Sequence, residues 1–148
     1  MVKPEDVQKL REMTGAGIME CKRALVDADG DLDKAVIIIG ERGLIKADKK
    51  AARETGAGLL ESYVHNGRVG VLLELRVETD FVAKSEPAKE LVRNLAMHIA
   101  AMDPENVDAL LAQPYVKDAT QTVESVIKQV IAKTGENIRV ARFMRYQV

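Results

Sequence analysis

The dipeptide Asn66-Gly67 constrains the fold of this chain more than any other short feature. It separates two segments rich in apolar residues, LLESYVH at 59–65 and RVGVLLELRVE at 68–78. Asn and Gly both accept the positive φ angles of a tight two-residue turn. Placed between two such segments, the pair predicts an antiparallel β-hairpin in the middle of the chain.

The predicted hairpin has one apolar and one polar face. A two-residue turn sets the facing pairs, which are Val64 with Val69, Ser62 with Val71, and Leu60 with Leu73. Leu75 and Val77 extend this apolar face. The opposite face holds mostly polar residues, namely Glu61, Tyr63, His65, Arg68, Glu74 and Arg76. Antiparallel sheets commonly bury one face and leave the other in solvent, so we expect helices to cover the apolar face.

The residues around the hairpin predict an α+β core over 54–148. Ser85 is expected to cap an amphipathic helix with an apolar stripe of Ala88, Leu91, Val92, Leu95, Ile99 and Met102. A short helix within 103–114 and a last helix ended by Gly135 follow. The segment IRVARFMRYQV at 138–148 is rich in strand-forming residues. The prediction is a three-stranded antiparallel sheet with helices on one face.

Residues 1–53 predict a separate three-helix domain. TGAG at 14–17 and DGD at 29–31 interrupt the helical pattern twice, and Asp31 is expected to cap the third helix. Gly40 and Gly43 are expected to end that helix, and LIKADKKAARE at 44–54 reads as a basic linker. A unit of this size can fold alone, but only marginally.

Composition narrows the classes of function. The formal net charge of −1 argues against a chain built mainly to grip nucleic-acid backbone. The single cysteine, Cys21, permits no intrachain disulfide and is expected in a helical core. The longest apolar run, AVIII at 35–39, is too short to span a bilayer, and MVKPEDVQKL lacks the features of a secretory signal. These features predict a cytoplasmic bacterial protein.

No chemistry-bearing constellation stands out. His65 lies in the hairpin and His98 at the polar edge of a helix stripe, without ligand partners at metal-binding spacing. Neither copy of TGAG has the Lys-Ser/Thr of a phosphate-binding loop. We therefore predict no metal, no cofactor, no bound nucleotide and no covalent catalysis by this chain.

Phe81 is one of only two phenylalanines, and it stands beside Asp80 where the second strand is expected to end. Two interpretations remain open. An aromatic at such a junction can fold over the edge of the core, with Asp80 as a helix cap. Alternatively, Phe81 projects as an anchor into a partner's pocket, and Asp80 supplies an oriented charge.

Three motifs carry a resemblance to a known family. LREMTGAGIMECKRAL at 10–25, TDFVAKSEP at 79–87 and AMHIAA at 96–101 resemble bacterial elongation factor Ts. The order of a helical triplet, a basic linker, a hairpin and TDFVA is similar along the whole chain. The resemblance implies an N-terminal domain similar to ubiquitin-associated domains, which in this family docks on a GTPase.

The resemblance also implies a function, which is nucleotide exchange on elongation factor Tu. It implies that Phe81 is a wedge inserted between helices of the GTPase, which disturbs the magnesium and phosphate site so that GDP leaves. Thr79, Asp80 and Val82 would complete this insert. Arg11, Ile18 and Met19 would dock the N-terminal domain on the GTPase.

The length of the chain leaves room for one core subdomain where longer family members carry two. A homodimer is therefore expected, with the polar sheet face around Tyr63 and Leu72 as candidate interface. Two other functions remain open. One is an adaptor whose helical triplet binds a ubiquitin-like or other protein. The other is a ribosome-associated RNA-binding factor that uses the basic segment at 46–53.

Overall fold

The computed structural model describes residues 1–148, which divide into two units, Met1–Lys46 and Ala47–Val148. The first unit is built on helices α1 (Pro4–Thr14), α2 (Ile18–Asp27) and α3 (Leu32–Asp48). Gly15 takes left-handed dihedrals and ends α1. Asp31 accepts a hydrogen bond from the Lys34 amide at 3.1 Å, which confirms it as the cap of α3. The hydrophobic core of the first unit consists of Val7, Leu10, Cys21, Ala24, Leu25, Ala28, Ala35 and Ile39.

Helix α3 is longer than the sequence predicts. It runs through Gly40 and Gly43, which were expected to end it. Each helical glycine costs about 1 kcal/mol relative to alanine. Buried positions nevertheless recur every four residues along α3, at Ala35, Ile39, Gly43 and Ala47. The free energy gained by burying these positions exceeds the cost of keeping two glycines in a helix, so the helix continues through them.

The second unit carries nine elements in a mixed order. In sequence they are β1 (Ala57–His65), β2 (Val69–Val77), α4 (Asp80–Ala83), α5 (Glu86–Met102), α6 (Val107–Ala112), β3 (Pro114–Tyr115), β4 (Asp118–Thr122), α7 (Val123–Thr134) and β5 (Ile138–Gln147). An antiparallel sheet has the order β1-β2-β5, and β3 and β4 form a separate two-stranded sheet. The predicted α+β class and three-stranded sheet are confirmed; the β3–β4 pair was not predicted.

The hairpin turn forms where the sequence predicts it, but the strand register is shifted by one residue. Asn66 and Gly67 both have positive φ, and the Arg68 amide donates to the His65 carbonyl at 3.0 Å. Arg68 stays in the loop, so His65 faces Val69 and Tyr63 faces Val71. A one-residue shift moves every side chain of a strand to the other face. The predicted pairs, from Val64–Val69 to Leu60–Leu73, are therefore wrong.

The shift changes the character of both sheet faces. Helix α5 packs on β1 and β2, and the covered face includes Tyr63, which was predicted on the polar side. The opposite face, here called the outer face, exposes a group of large apolar side chains: Leu60, Val64, Leu72, Met144 and Tyr146. Glu74 and Arg142 form an ion pair on it at 3.0 Å. The face that was expected to be polar thus carries these five large apolar side chains beside the charged cluster of Glu74, Arg76 and Arg142.

His98 also departs from the sequence-based expectation. It is fully buried in α5 instead of lying at the polar edge of the stripe. Its Nδ1 accepts a hydrogen bond from the Val116 amide at 3.1 Å, so Nε2 carries the proton and donates to Gln113 Oε1 at 2.9 Å. The Tyr115 ring stacks on it at 5.9 Å between centroids. Burial lowers the pKa of His98, so the neutral ring joins α5 to the β3–β4 sheet.

Candidate partner-binding site

The segment TDFVA forms a separate short helix between β2 and α5. Thr79 has extended dihedrals and caps α4, and its side-chain oxygen accepts from the Val82 amide at 3.3 Å. Asp80 therefore occupies the first helical position, where its negative charge interacts favourably with the positive end of the helix. The proposed cap at Asp80 is thus wrong by one residue.

Helix α4 divides its side chains between the interior and the solvent. Val82 and Ala83 are 5% and 7% exposed and belong to the core of the second unit. Phe81 is 85% exposed, and Asp80 is exposed beside it. Of the two interpretations of Phe81, the one that folds it over the core does not describe this structure. A single turn anchored by two buried residues holds one aromatic ring in solvent.

Glu136 and Asn137, which the sequence patterns did not single out, hold the start of α4. Glu136, which follows α7, accepts hydrogen bonds from the backbone amides of Glu78 and Thr79 and from the Thr79 hydroxyl. In the opposite direction, the Glu78 carboxylate accepts from the Asn137 amide. Glu136 and Glu78 lie 58 positions apart in the sequence, and local periodicity carries no signal for such a contact. Only the pairing of Val77 with Ile138 brings the two junctions together.

The predicted docking residues of the first unit are all on its surface. Ile18 and Met19 are 52% and 59% exposed at the start of α2, and Arg11 is exposed near the end of α1. Arg11 and Ile18 line one open groove of about 560 Å³, together with Val2, Pro4, Val7, Gln8 and Lys22. Met19 is not part of its lining. The groove combines an apolar floor with two cationic side chains, Arg11 and Lys22.

Neither unit brings together three or more His, Cys, Asp and Glu side chains in a group that could hold a metal ion. None of the helices in the structure has both the length and the apolar character needed to cross a bilayer.

Comparison with known proteins finds one family throughout. The family described as Elongation factor TS matches residues 3–108 and 78–148. Elongation factor Ts of Thermotoga maritima is 43% identical over 186 residues, which cover 96% of this chain and 94% of the relative. The protein of the same name from Fervidobacterium nodosum is 44% identical over 188 residues, covering 96% and 95%.

A third relative extends the similarity to the whole chain. Elongation factor Ts of Thermosipho melanesiensis is 39% identical over 194 residues, which cover 100% of this chain and 99% of the relative. These alignments are longer than the 148 residues of the chain, so the relatives contain residues that have no counterpart here. The family match covers both units and includes the TDFVA helix. The chain therefore belongs to the elongation factor Ts family.

Proposed function

We propose that this chain is a cytoplasmic guanine nucleotide exchange factor for elongation factor Tu, in which Phe81 is the wedge that loosens GDP. The exposure of Phe81 is the observation that carries the proposal. An 85% exposed aromatic ring on a helix whose next two residues are buried is suited to insertion into a partner. Asp80 would orient the insert, while Thr79 caps its helix. Val82 is buried, so it would support the insert from below.

The energetics require more than the ring. Transfer of one Phe side chain from water to a protein interior contributes about 1.5–3 kcal/mol. A free-energy difference of about 1.4 kcal/mol changes a binding constant tenfold, so the ring alone weakens GDP binding by roughly one to two orders of magnitude. The remainder is proposed to come from loss of magnesium at the GDP phosphates and from a second contact.

The N-terminal domain is proposed to supply that second contact. We assign GTPase docking to residues 1–53, with Arg11, Ile18 and Met19 as contact residues, and the wedge and self-association to residues 54–148. The groove beside Arg11 and Ile18 fits the apolar face of a partner helix with an acidic rim.

This function needs no covalent chemistry. An exchange factor has only to bind the nucleotide-free GTPase more tightly than the GDP-bound form. The coupling is reciprocal, so GDP weakens binding of the factor as much as the factor weakens binding of GDP. Neither a metal nor a bound nucleotide is required of this chain.

We also propose that the chain acts as a homodimer that meets through the outer face. Leu60, Val64 and Leu72 are each at least half exposed on a strand pair that no helix covers on this side. Contiguous exposed apolar surface of this kind is uncommon on monomers. Glu74 pairs with both Arg142 and Arg76 on this face, so these three groups carry one positive charge in excess, and the dimer contact would have to centre on the apolar side chains.

The exchange proposal is tested by release of fluorescent GDP from elongation factor Tu. Substoichiometric amounts of this protein should accelerate release, and Phe81→Ala should remove about 90–99% of the acceleration with an unchanged unfolding temperature. Tight RNA binding without accelerated GDP release would favour a ribosome-associated factor instead. Binding to a protein partner without accelerated GDP release would favour an adaptor. If Phe81→Ala retains full activity, the wedge assignment is wrong.

The dimer proposal is tested by sedimentation equilibrium at micromolar concentration. The wild-type chain should sediment at twice the monomer mass, and Leu72→Glu, at the centre of the outer face, should shift it to the monomer. Val26→Glu is the matched control because Val26 is 62% exposed on α2, outside this face. A wild-type monomer would refute the proposal.

A further inference from the structure

Helix α4 is too short to fix its own direction. It contains four residues, which make a single turn. A first helical turn is intrinsically unfavourable because several residues are ordered for one hydrogen bond. The direction in which Phe81 points therefore depends on contacts that α4 makes outside its own turn.

The entrance to α4 is held by one carboxylate. Glu136 Oε1 accepts from the amides of Glu78 at 3.1 Å and Thr79 at 2.9 Å, and Oε2 accepts from the Thr79 hydroxyl at 2.6 Å. Hydrogen bonds to an ionised acceptor are stronger than those between neutral groups. The same Thr79 hydroxyl caps α4 through the Val82 amide. Glu136 thus fixes both the backbone before α4 and the rotamer of its cap.

A second set of bonds holds Glu136 and its neighbour in place. Gly135 has left-handed dihedrals at the end of α7, and the Glu136 amide donates to the Thr134 hydroxyl at 3.4 Å. Asn137 is 5% exposed, donates its backbone amide to Glu78, and donates its side-chain amide to the Arg53 carbonyl at 2.9 Å. These bonds join the start of α4, the end of α7 and the 51–53 segment.

We infer that Glu136 is a positioning residue for nucleotide exchange: it holds α4 in the one orientation that presents Phe81 to the GTPase. The inference rests on the proposed role of Phe81 as the wedge. Glu136 itself need not touch the partner. Without it, the 78–81 segment would have to be ordered when the complex forms, and that entropic cost subtracts from the binding that drives GDP release.

The first measurement concerns the free protein and does not depend on exchange. In Glu136→Ala, the amides of Glu78, Thr79 and Val82 should exchange with deuterium at least tenfold faster by NMR, while amides of α5 keep their rates. Glu136→Gln should show a smaller increase because it keeps one acceptor oxygen but loses the charge. Glu124→Ala is the matched control, since Glu124 lies at the start of α7 and pairs only with Lys128. Unchanged Glu78 and Thr79 amide rates would overturn the inference.

The second measurement is the rate of GDP release per folded molecule. Glu136→Ala should lower it about tenfold, which is the scale of ordering a few residues on binding. The double variant Phe81→Ala/Glu136→Ala should be no slower than Phe81→Ala alone, because Glu136 acts only through Phe81. Additive losses, or wild-type release in Glu136→Ala, would overturn the inference even where Phe81→Ala is defective. If Phe81→Ala itself releases GDP normally, the wedge proposal fails instead.

Should Glu136→Ala fail to fold, Glu136→Gln decides the question with the same two measurements. It keeps the side-chain shape and one acceptor. Wild-type amide rates and wild-type GDP release in Glu136→Gln would then count against the inference.

Discussion

The two phenylalanines of this chain occupy opposite surroundings. Phe81 is 85% exposed on the four-residue helix α4, whereas Phe143 is partly buried on β5, faces Leu73 and packs against the core. Packing against the core accounts for the position of Phe143, because it removes part of the ring's apolar surface from water. It does not explain Phe81, whose ring stays in water in the folded chain.

This difference separates stability from function. Removing a ring that is solvated in both the folded and unfolded states changes the free energy of unfolding little. Removing a ring that packs on a core leaves a gap and loses contacts. Variants of the two residues therefore form a matched pair, in which the same chemical deletion should affect stability at one site and nucleotide exchange at the other.

The largest effect on stability is expected for Phe143→Ala. Because the ring is only partly buried, the loss should be about 2 kcal/mol of unfolding free energy, equivalent to roughly 8–16 °C in unfolding temperature for a unit of about 100 residues such as Ala47–Val148. Urea unfolding measures it directly. GDP release per folded molecule should stay within a few-fold of wild type. A selective loss of exchange in Phe143→Ala would break the comparison.

Sequence patterns predicted which helices and strands form better than they predicted the register between the strands. The Asn66-Gly67 turn, the third strand and the stripe of α5 follow from local composition, except that Met102, predicted in the stripe, is 40% exposed. The strand register does not, because Leu59 and Leu60 are adjacent, as are Tyr63 and Val64. Either parity therefore gives β1 an apolar face, and only the extra loop residue decides between them.

The candidate site was predictable in part for the same reason. The TDFVA motif drew attention to Phe81, but exposure of the ring is a property of the packing around α4. Glu136 contacts Thr79 across 57 positions of sequence. His98 was misplaced because its partners, Gln113 and Val116, come from a segment 15 to 18 residues later. Long-range partners of this kind require the pairing of elements, which periodicity does not supply.

The buried side chain of His98 makes a contribution to stability that depends on pH. Burial lowers its pKa, so the unfolded chain binds a proton that the folded chain resists. Its contribution is fully present above the ordinary pKa of about 6.5 and is lost as pH falls below that value. One such proton adds at most about 1.4 kcal/mol per pH unit to the slope of unfolding free energy.

The measurement is urea unfolding between pH 8 and pH 5. The wild-type chain should lose stability more steeply below pH 6.5 than His98→Gln, in which this titration is absent. His65→Gln is the control, because His65 is exposed at the hairpin. Equal slopes in wild type and His98→Gln would mean that the buried ring is protonated in the folded chain without cost.

A smaller effect is expected for Phe81→Leu, which asks whether the wedge needs an aromatic ring or only apolar volume. Leucine keeps most of the transferable apolar surface, and conservative apolar replacements usually cost less than about 1.5 kcal/mol. GDP release should therefore fall by only a few-fold, less than the roughly 10- to 100-fold loss expected for Phe81→Ala. Equal losses in the two variants would assign the effect to a specific contact with the ring.

The smallest effect is expected at the far end of α4. Ser85 donates its hydroxyl to the Val82 carbonyl at 2.6 Å and caps α5 through the Ala88 amide at 3.4 Å. Loss of such a cap costs about 1 kcal/mol, so Ser85→Ala should lower the unfolding temperature by a few degrees. If global stability governed exchange, Ser85→Ala would slow GDP release as much as a change at Glu136. Because the orientation of Phe81 is set from the Thr79 end, we expect GDP release in Ser85→Ala to stay within about twofold of wild type at 25 °C, since a cap loss of this size leaves nearly all molecules folded.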